Sequence, residues 1–287
     1  MPKVAFLFPG QGSQFVGMGK DLYENNATAR GILDQFSDIL PFMFEGPEET
    51  LKRTQYAQPA ILAVSLAIWA AFDVRPDITA GHSLGEYAAL AAAGAISVET
   101  AIKLVKERAL CMEQAPSGTM AAILGLDQPR VEEAVAQTQA VIANYNTPEQ
   151  FIISGEVSAV QAASERAKVL GGKVVMLPVG GAFHSPLMAE AARQFNAYLE
   201  MFHFEDAKIP VVTNVDAQAT TDAKALQEKL GRQITGSVHW LETIRLMLDQ
   251  GVDTFIEIGP GKVLAGMIKK IDRQATVYNA LERIQTV

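Results

Sequence analysis

The chain has 287 residues, 49% of them hydrophobic, which is enough for the buried core of one large or two modest domains. Its formal net charge of -8 argues against nucleic acid as a partner, because phosphate binding requires a basic surface. A single cysteine excludes a disulfide framework and a multi-thiolate metal cluster, and it fits the reducing cytoplasm.

From the N-terminus, the first ten residues, MPKVAFLFPG, contain an apolar run that is too short for a signal peptide or a membrane span. This run is predicted to be the first strand of a largely parallel sheet. The apolar stretch 57–72 is also too short for a bilayer and is predicted to be a buried helix, so we expect no membrane partner. The predicted strands of this α/β body are 4–8, 78–81, 209–214 and 254–258.

Between residues 120 and 179 the pattern changes to strand, helix, strand, strand, helix, strand. The predicted elements are strand 120–125, helix 129–138, strand 141–146, strand 150–155, helix 157–170 and strand 173–179. This βαββαβ order is that of a ferredoxin-like unit. Glycine-rich segments at 116–118 and 180–181 flank it. We therefore predict a small domain of residues 118–180, inserted into a large domain formed by residues 1–117 and 181–287.

The segment GHSLG at residues 81–85 matches the G-x-S-x-G pattern and lies between a predicted strand and a predicted helix. A tight turn in this position strains the backbone of Ser83, and a Cβ on either flanking glycine would collide with neighbouring chain. The pattern predicts Ser83 as a nucleophile at a helix N-terminus, where the N–H of Leu84 can stabilise an oxyanion. The alternative is that Ser83 only caps the helix.

A serine needs a base, and the chain has four histidines. His82 lies in the turn beside Ser83, where its side chain should diverge from that of its neighbour. His203 at a helix end and His239 at a helix start are more typical of structural roles. His184 follows Gly180-Gly181 in a loop at the predicted domain crossing, a common place for functional sites. We therefore predict His184 as the base.

Four motifs in order and spacing, FPGQGSQ at 8–14, GHSLGEY at 81–87, AFHS at 182–185 and GPGKVL at 259–264, resemble a known family. The chain is similar over nearly its whole length to malonyl-CoA:acyl carrier protein transacylases and to the acyltransferase domains of polyketide synthases. The resemblance implies an α/β-hydrolase-like large domain with an inserted ferredoxin-like small domain, in agreement with the pattern of elements.

The resemblance also implies the roles of individual residues. Ser83 would be acylated, His184 would be its general base and acid, and Gln11 would join the N–H of Leu84 as the oxyanion hole. Arg108 would bind the free carboxylate of malonate, a task that suits the planar fork of a guanidinium. Without the resemblance, an exposed helix arginine paired with a nearby glutamate is the simpler interpretation.

Further residues follow from the same likeness. The backbone carbonyl of Gln233 would orient the histidine in place of an acidic third residue. Met112 and Asn146 match positions near the acyl pocket, although interpretations as a core filler and a turn former stay open. Phe183 would crowd a methyl on the acyl α-carbon, which favours malonyl over branched groups by a modest margin.

The implied reaction is ping-pong transfer from malonyl-CoA to the phosphopantetheine thiol of acyl carrier protein, with no metal and no cofactor. A discrete enzyme of this size fits either fatty acid or polyketide synthesis. Basic residues could meet an acidic carrier, and a solvated helix face is the equally simple alternative for them; they are Lys262, Lys269, Lys270 and Arg273. The segment 11–14 fits no phosphate-binding pattern.

Two other functions remain alternatives. One is an α/β-hydrolase, an esterase or thioesterase that releases the acyl group to water. Such an enzyme predicts an acidic residue between the serine and the histidine, and no acidic residue before His184 lies in a convincing loop after a strand. The other is a non-catalytic interaction subunit, against which the intact set of predicted site residues argues.

Overall fold

The protein is described by a computed structural model for residues 3–284. Its strands are β1 Lys3–Phe8, β2 Ile78–Gly81, β3 Thr119–Leu124, β4 Val141–Thr147, β5 Gln150–Gly155, β6 Lys173–Met176, β7 Val211–Val212, β8 Ala219–Thr220, β9 Val252–Glu257 and β10 Thr276–Asn279. Its helices are α1 Lys20–Asn25, α2 Ala27–Leu33, α3 Leu40–Glu45, α4 Glu48–Lys52, α5 Thr54–Ala71, α6 Gly85–Ala92, α7 Val98–Glu113, α8 Gln128–Val135, α9 Val157–Val169, α10 Ala189–Leu199, α11 Ala223–Arg232, α12 Trp240–Asp249, α13 Val263–Ile271 and α14 Leu281–Ile284.

The main sheet has the strand order β10-β9-β1-β2-β7-β8. Every neighbouring pair in it is parallel except β7 with β8. Side chains of β1 alternate between two cores, because Phe6 and Phe8 pack on one face of the sheet while Ala5 and Leu7 pack on the other. The carboxyl ends of β1, β2, β7 and β9 consequently share one edge, where the loops that follow them meet.

Several predicted element ends are wrong. The predicted strand 209–214 is only Val211–Val212, and the backbone N–H of Thr213 bonds the carbonyl of Gln218 in the tight connection to β8. The predicted strand 173–179 ends at Met176, two residues before Pro178, which has no N–H to donate. The predicted helix 129–138 ends at Val135, since Gln137 takes a positive φ of 64°.

A second, antiparallel sheet has the order β4-β5-β3-β6 and carries α8 and α9 on one face around its own core. This is the predicted ferredoxin-like arrangement; domain limits at residues 118 and 180 stay a prediction. Its edge strand β4 is fastened to the large body by backbone bonds, in which the N–H of Tyr145 donates to the carbonyl of Val238 and the N–H of Val238 donates to that of Ala143. The small sheet therefore lies next to the carboxyl edge of the main sheet, and residues of the small sheet and of the loops that follow β1 and β2 line the cleft between them.

Helices α5 and α7 pack beside each other under this edge. Buried residues of α7 recur at helical spacing, and Arg108 falls on the buried stripe with 0% of its surface exposed. The predicted buried helix 57–72 is α5, which also buries the polar Gln58. Among the described residues, no helix combines the length and apolarity that crossing a membrane requires.

The turn between β2 and α6 is built on close backbone contact. A Cβ at Gly81 would lie 1.9 Å from the carbonyl carbon of Gly85, and a Cβ at Gly85 would lie 2.0 Å from the carbonyl oxygen of Phe8. Ser83, between them, has a φ of 51°. The expected crowding and strain of this turn are thus present in the structure.

We expect Gly85→Ala to destabilise the fold by about 3 kcal/mol, because its methyl group would have to displace the backbone of β1. The matched control is Gly31→Ala in α2, where an added Cβ meets nothing within 4 Å. That change should stabilise by up to about 1 kcal/mol through helix propensity. Urea denaturation followed by tryptophan fluorescence measures both, and equal effects would contradict the steric account.

Candidate active site

The structure brings Ser83 and His184 into direct contact. The Oγ of Ser83 lies 2.7 Å from Nε2 of His184. Both residues have positive φ, 51° and 56°, which is uncommon for residues other than glycine and is typical of functional sites. This arrangement meets the geometric requirement for a nucleophile and its base.

The other nitrogen of His184 faces two backbone carbonyls. Its Nδ1 lies 2.9 Å from the oxygen of Gln233 and 3.0 Å from the oxygen of Gly236. Because carbonyl oxygens only accept, Nδ1 carries the proton and Nε2 presents its lone pair to the serine hydroxyl. The carbonyl predicted from Gln233 lies at the imidazole, and sequence reasoning missed that of Gly236.

His184 is buried, with 4% of its surface exposed. Burial, with a smaller effect from the nearby charge of Arg108, lowers the pKa of His184 to about 3. The imidazole is therefore neutral at physiological pH and can accept a proton from Ser83.

The side chain of Arg108 also contacts Ser83. Its Nη2 donates to Oγ of Ser83 at 3.0 Å, and its Nη1 donates to Oε1 of Gln58 at 2.7 Å. The side-chain oxygen of Gln233 accepts a further bond from Nη2 at 3.1 Å. The alternative pairing with a glutamate on its own helix is not what the structure holds, since Glu113 instead pairs with Arg53. The hydrogen-bond acceptors of the guanidinium among the described residues are thus uncharged; burial lowers the pKa of Arg108, and the nearby Tyr87 and Glu86 oppose that shift.

Gln11 lines the same cleft as Ser83, and Leu84 follows Ser83 in the chain; their roles as oxyanion donors stay a prediction. Oε1 of Gln11 accepts from Nε2 of Gln58 at 3.4 Å, and its Nε2 donates to Oγ1 of Thr54 at 3.3 Å. Leu84 immediately precedes α6, so its N–H belongs to the helix end, where donors lack intrahelical partners.

Phe183, Met112 and Asn146 line a cleft of about 520 Å³ between the two sheets, together with Ser83 and His184. The Sδ of Met112 accepts from Nε2 of Gln58, and Oδ1 of Asn146 lies 2.9 Å from Nε2 of His82. The side chain of His82 thus diverges from that of Ser83, as expected from the turn.

Sequence reasoning missed the buried polar residues that surround the pair: Gln58, Glu86, Asn214 and the side chain of Gln233. Nε2 of Gln233 donates to the backbone oxygen of Ser83 at 2.9 Å and to Oε2 of Glu86 at 2.5 Å. Burial raises the pKa of Glu86 to about 7. A polar Gln58 within an apolar helix was the one available signal.

The remaining candidates lie away from the pair. His203 is exposed beside Glu205, and the ring of His239 stacks on Tyr145 at 5.0 Å. Lys262 pairs with Glu282, and the ammonium of Lys270 donates to Gln150 at the cleft wall. Lys269 donates to the backbone carbonyls of Arg273 and Ala275. Within residues 3–284, no group of three acidic, histidine or cysteine side chains could hold a metal ion.

Comparison with known proteins places this chain among acyltransferases. Residues 5–284 match the family described as "Acyl transferase domain". A malonyl CoA-acyl carrier protein transacylase of Staphylococcus aureus (strain MRSA252) is 45% identical over 100% of this chain and 97% of its own.

Solved structures agree. The crystal structure of an acyl carrier protein S-malonyltransferase from Vibrio cholerae superposes with a TM-score of 0.93 at 38% identity, over 98% of this chain and 99% of that one. A malonyl-transacylase solved in complex with a type II PKS acyl-carrier protein gives 0.92 at 36% identity, over 99% of this chain and 100% of that one. The predicted fold, a large α/β domain with a small ferredoxin-like domain, is confirmed.

We expect the imidazole of His184 to stay neutral down to about pH 3, because burial and the charge of Arg108 both oppose its protonation. Imidazole ¹⁵N shifts recorded against pH measure this. Arg108→Met should raise the pKa of His184, whereas the matched variant Arg108→Lys keeps the positive charge and should leave it low. An imidazole that titrates near 6.5 in the unaltered protein would contradict the account.

Proposed function

Because the chain belongs to the acyl transferase domain family, whose members are acyltransferases, we propose that it moves a malonyl group from malonyl-CoA to the phosphopantetheine thiol of acyl carrier protein. The observation that carries the proposal is one hydroxyl oxygen with two partners. Oγ of Ser83 lies 2.7 Å from the base His184 and 3.0 Å from the cation Arg108.

In the first half-reaction, Oγ of Ser83 attacks the thioester carbonyl of malonyl-CoA and its proton passes to Nε2 of His184. The carbon–sulfur bond then breaks, and the imidazolium returns the proton to the departing thiolate, which leaves as CoA. The carbonyls of Gln233 and Gly236 hold Nδ1–H throughout and stabilise the transient positive charge.

In the second half-reaction, the phosphopantetheine thiol of the carrier gives its proton to His184 and attacks the serine ester. Collapse of the tetrahedral intermediate releases Ser83, which regains its proton from the imidazolium. In both halves the negative carbonyl oxygen is stabilised by the N–H of Leu84 and by the amide of Gln11, which turns from Thr54 toward the substrate.

Arg108 supports a substrate with a free carboxylate. Its guanidinium is fully buried, its hydrogen bonds go to the hydroxyl of Ser83 and to the uncharged amides of Gln58 and Gln233, and its Nε has no hydrogen-bond partner among the described residues. A buried cation without a bonded anion is unfavourable, and the malonyl carboxylate would supply that anion. Phe183, beside His184 on the cleft wall, would disfavour substitution at the α-carbon.

Relatives and charge both support an acyl carrier protein as the acyl acceptor. One structural relative was solved in complex with an acyl carrier protein. Lys270 lies on α13 and bonds Gln150 of the cleft wall, so a cation stands beside the opening through which a phosphopantetheine arm would enter. Such a cation would attract an acidic carrier to this face despite the net negative charge of the chain.

Incubation with malonyl-CoA should produce a protein whose intact mass is increased by one malonyl group, and Ser83→Ala should abolish the increase because, among residues 3–284, no other hydroxyl is hydrogen-bonded to the imidazole of His184. Ser158→Ala, at an exposed position on α9, is the control and should retain the adduct. Rapid appearance of free malonate in place of a lasting adduct would instead identify a hydrolase.

Arg108→Ala should lower kcat/KM for malonyl transfer about a hundredfold more than for acetyl transfer, because only malonate loses a charge-assisted contact. Both rates will also fall together, since Arg108 touches Ser83. Arg130→Ala, at an exposed position on α8, should leave the ratio unchanged. Equal losses for the two acyl groups would refute the carboxylate role.

A further inference from the structure

The side chain of Asn214 spans the turn that carries Ser83. Its Oδ1 accepts a hydrogen bond from the backbone N–H of Ser83 at 2.7 Å, and its Nδ2 donates to the backbone oxygen of Gly81 at 2.6 Å. One amide thus holds the backbone on both sides of His82. Only this orientation of the amide satisfies both partners, because the flipped orientation would set donor against donor and acceptor against acceptor.

Asn214 is held rigidly where it stands. It is 1% exposed and follows β7, the neighbour of β2 in the main sheet. Its backbone oxygen accepts from the N–H of His239, and its backbone N–H points at Oε2 of Glu86 at 3.4 Å. Both its main chain and its side chain are therefore fixed by the surrounding fold.

The two bonds act on the most strained point of the turn. Ser83 has a φ of 51°, a conformation that persists only where the surroundings impose it. Glycines 81 and 85 leave room for the turn without enforcing it. A relaxation of φ at Ser83 would move Oγ away from Nε2 of His184, which it contacts at 2.7 Å.

We propose that Asn214 is a positioning residue for the reaction, which enforces the strained turn and thereby aims the hydroxyl of Ser83 at His184. Because Asn214 takes the N–H of Ser83, that N–H is withheld from the oxyanion. The proposal rests on the proposed function for its assay and on the observed contacts for its geometry.

Asn214→Asp is the most direct test, because it preserves the shape of the side chain and replaces the Nδ2 donor with an oxygen. An ionised aspartate presents an acceptor to the carbonyl of Gly81, whereas a protonated one can donate to that carbonyl and still accept from Ser83. The variant should therefore lose kcat at high pH and regain it as pH falls. A misplacement of this kind costs about a hundredfold.

The effect of the introduced carboxyl on the pH profile must be distinguished from the effects of the titratable groups near it. Glu86 faces it from α6, His82 lies within the turn, and His184 and Arg108 lie beyond the serine. Asp216 lies two residues along its own loop. Activities are therefore expressed as the ratio of variant to unaltered protein at each pH, and the series is repeated with Glu86→Gln present in both proteins.

The expected result is a kcat ratio near 0.01 at pH 8 that rises at least tenfold by pH 5.5, at order-of-magnitude precision, with KM within about twofold throughout. Thr213→Val is the matched control, because this buried side chain bonds Asp216 and Gln218 in the same loop without touching the turn. It should lower the melting temperature and leave kcat and its pH profile unchanged.

A kcat ratio that is flat with pH, or a loss no greater than that of Thr213→Val, would overturn the proposal. Sulfonylation of Ser83 by phenylmethanesulfonyl fluoride, followed by intact mass, provides a readout that does not need malonyl-CoA. If the unaltered protein forms no malonyl adduct, the proposed function fails, yet a pH-dependent loss of sulfonylation in Asn214→Asp would still support the positioning role. Sulfonylation at the unaltered rate would contradict it.

Discussion

The hydrogen bond between Oγ of Ser83 and Nε2 of His184 is the interaction on which the rest of the site depends. It joins two residues 101 positions apart, each in a left-handed backbone conformation. Neither conformation is favourable alone, so the bond requires that both turns be imposed from outside. Gly81 and Gly85 leave room for the turn at Ser83, the amide of Asn214 bonds the backbone on both sides of it, and the carbonyls of Gln233 and Gly236 hold the imidazole of His184.

Arg108 links the charge state of the base to the charge of the substrate. Its guanidinium contributes to the low pKa of His184, and its hydrogen-bond partners within residues 3–284 are uncharged. A malonyl carboxylate bound to Arg108 would offset that charge and make the imidazole more basic. Under the proposed function, the base would therefore be stronger once malonate occupies the cleft, which favours acceptance of the carrier thiol's proton.

The sequence predicts most of the elements and the turn that carries Ser83, because each has a local signature. The G-x-S-x-G turn and the βαββαβ order are readable from spacing alone. The short strands β8 and β10 are not predicted. Glu86 and Asn214 are not predicted either, because their roles depend on buried hydrogen bonds to residues more than 100 positions away in the sequence. The same reason hides the side chain of Gln233, which contacts Ser83 across 150 positions. The structural role of such a polar residue is recognisable only once the fold shows that its side chain is buried and hydrogen-bonded.

Backbone contact explains why the motif around Gln11 accompanies the motif around Ser83. The N–H of His82 donates to the carbonyl of Phe8 at 2.9 Å, and a Cβ at Gly10 would lie 2.6 Å from the carbonyl oxygen of His82. The loop after β1 therefore rests directly on the turn after β2, with no side chain between them. Main-chain geometry therefore places the backbone of Gln11 relative to Ser83, while the side-chain amide of Gln11 is held by Thr54 and Gln58.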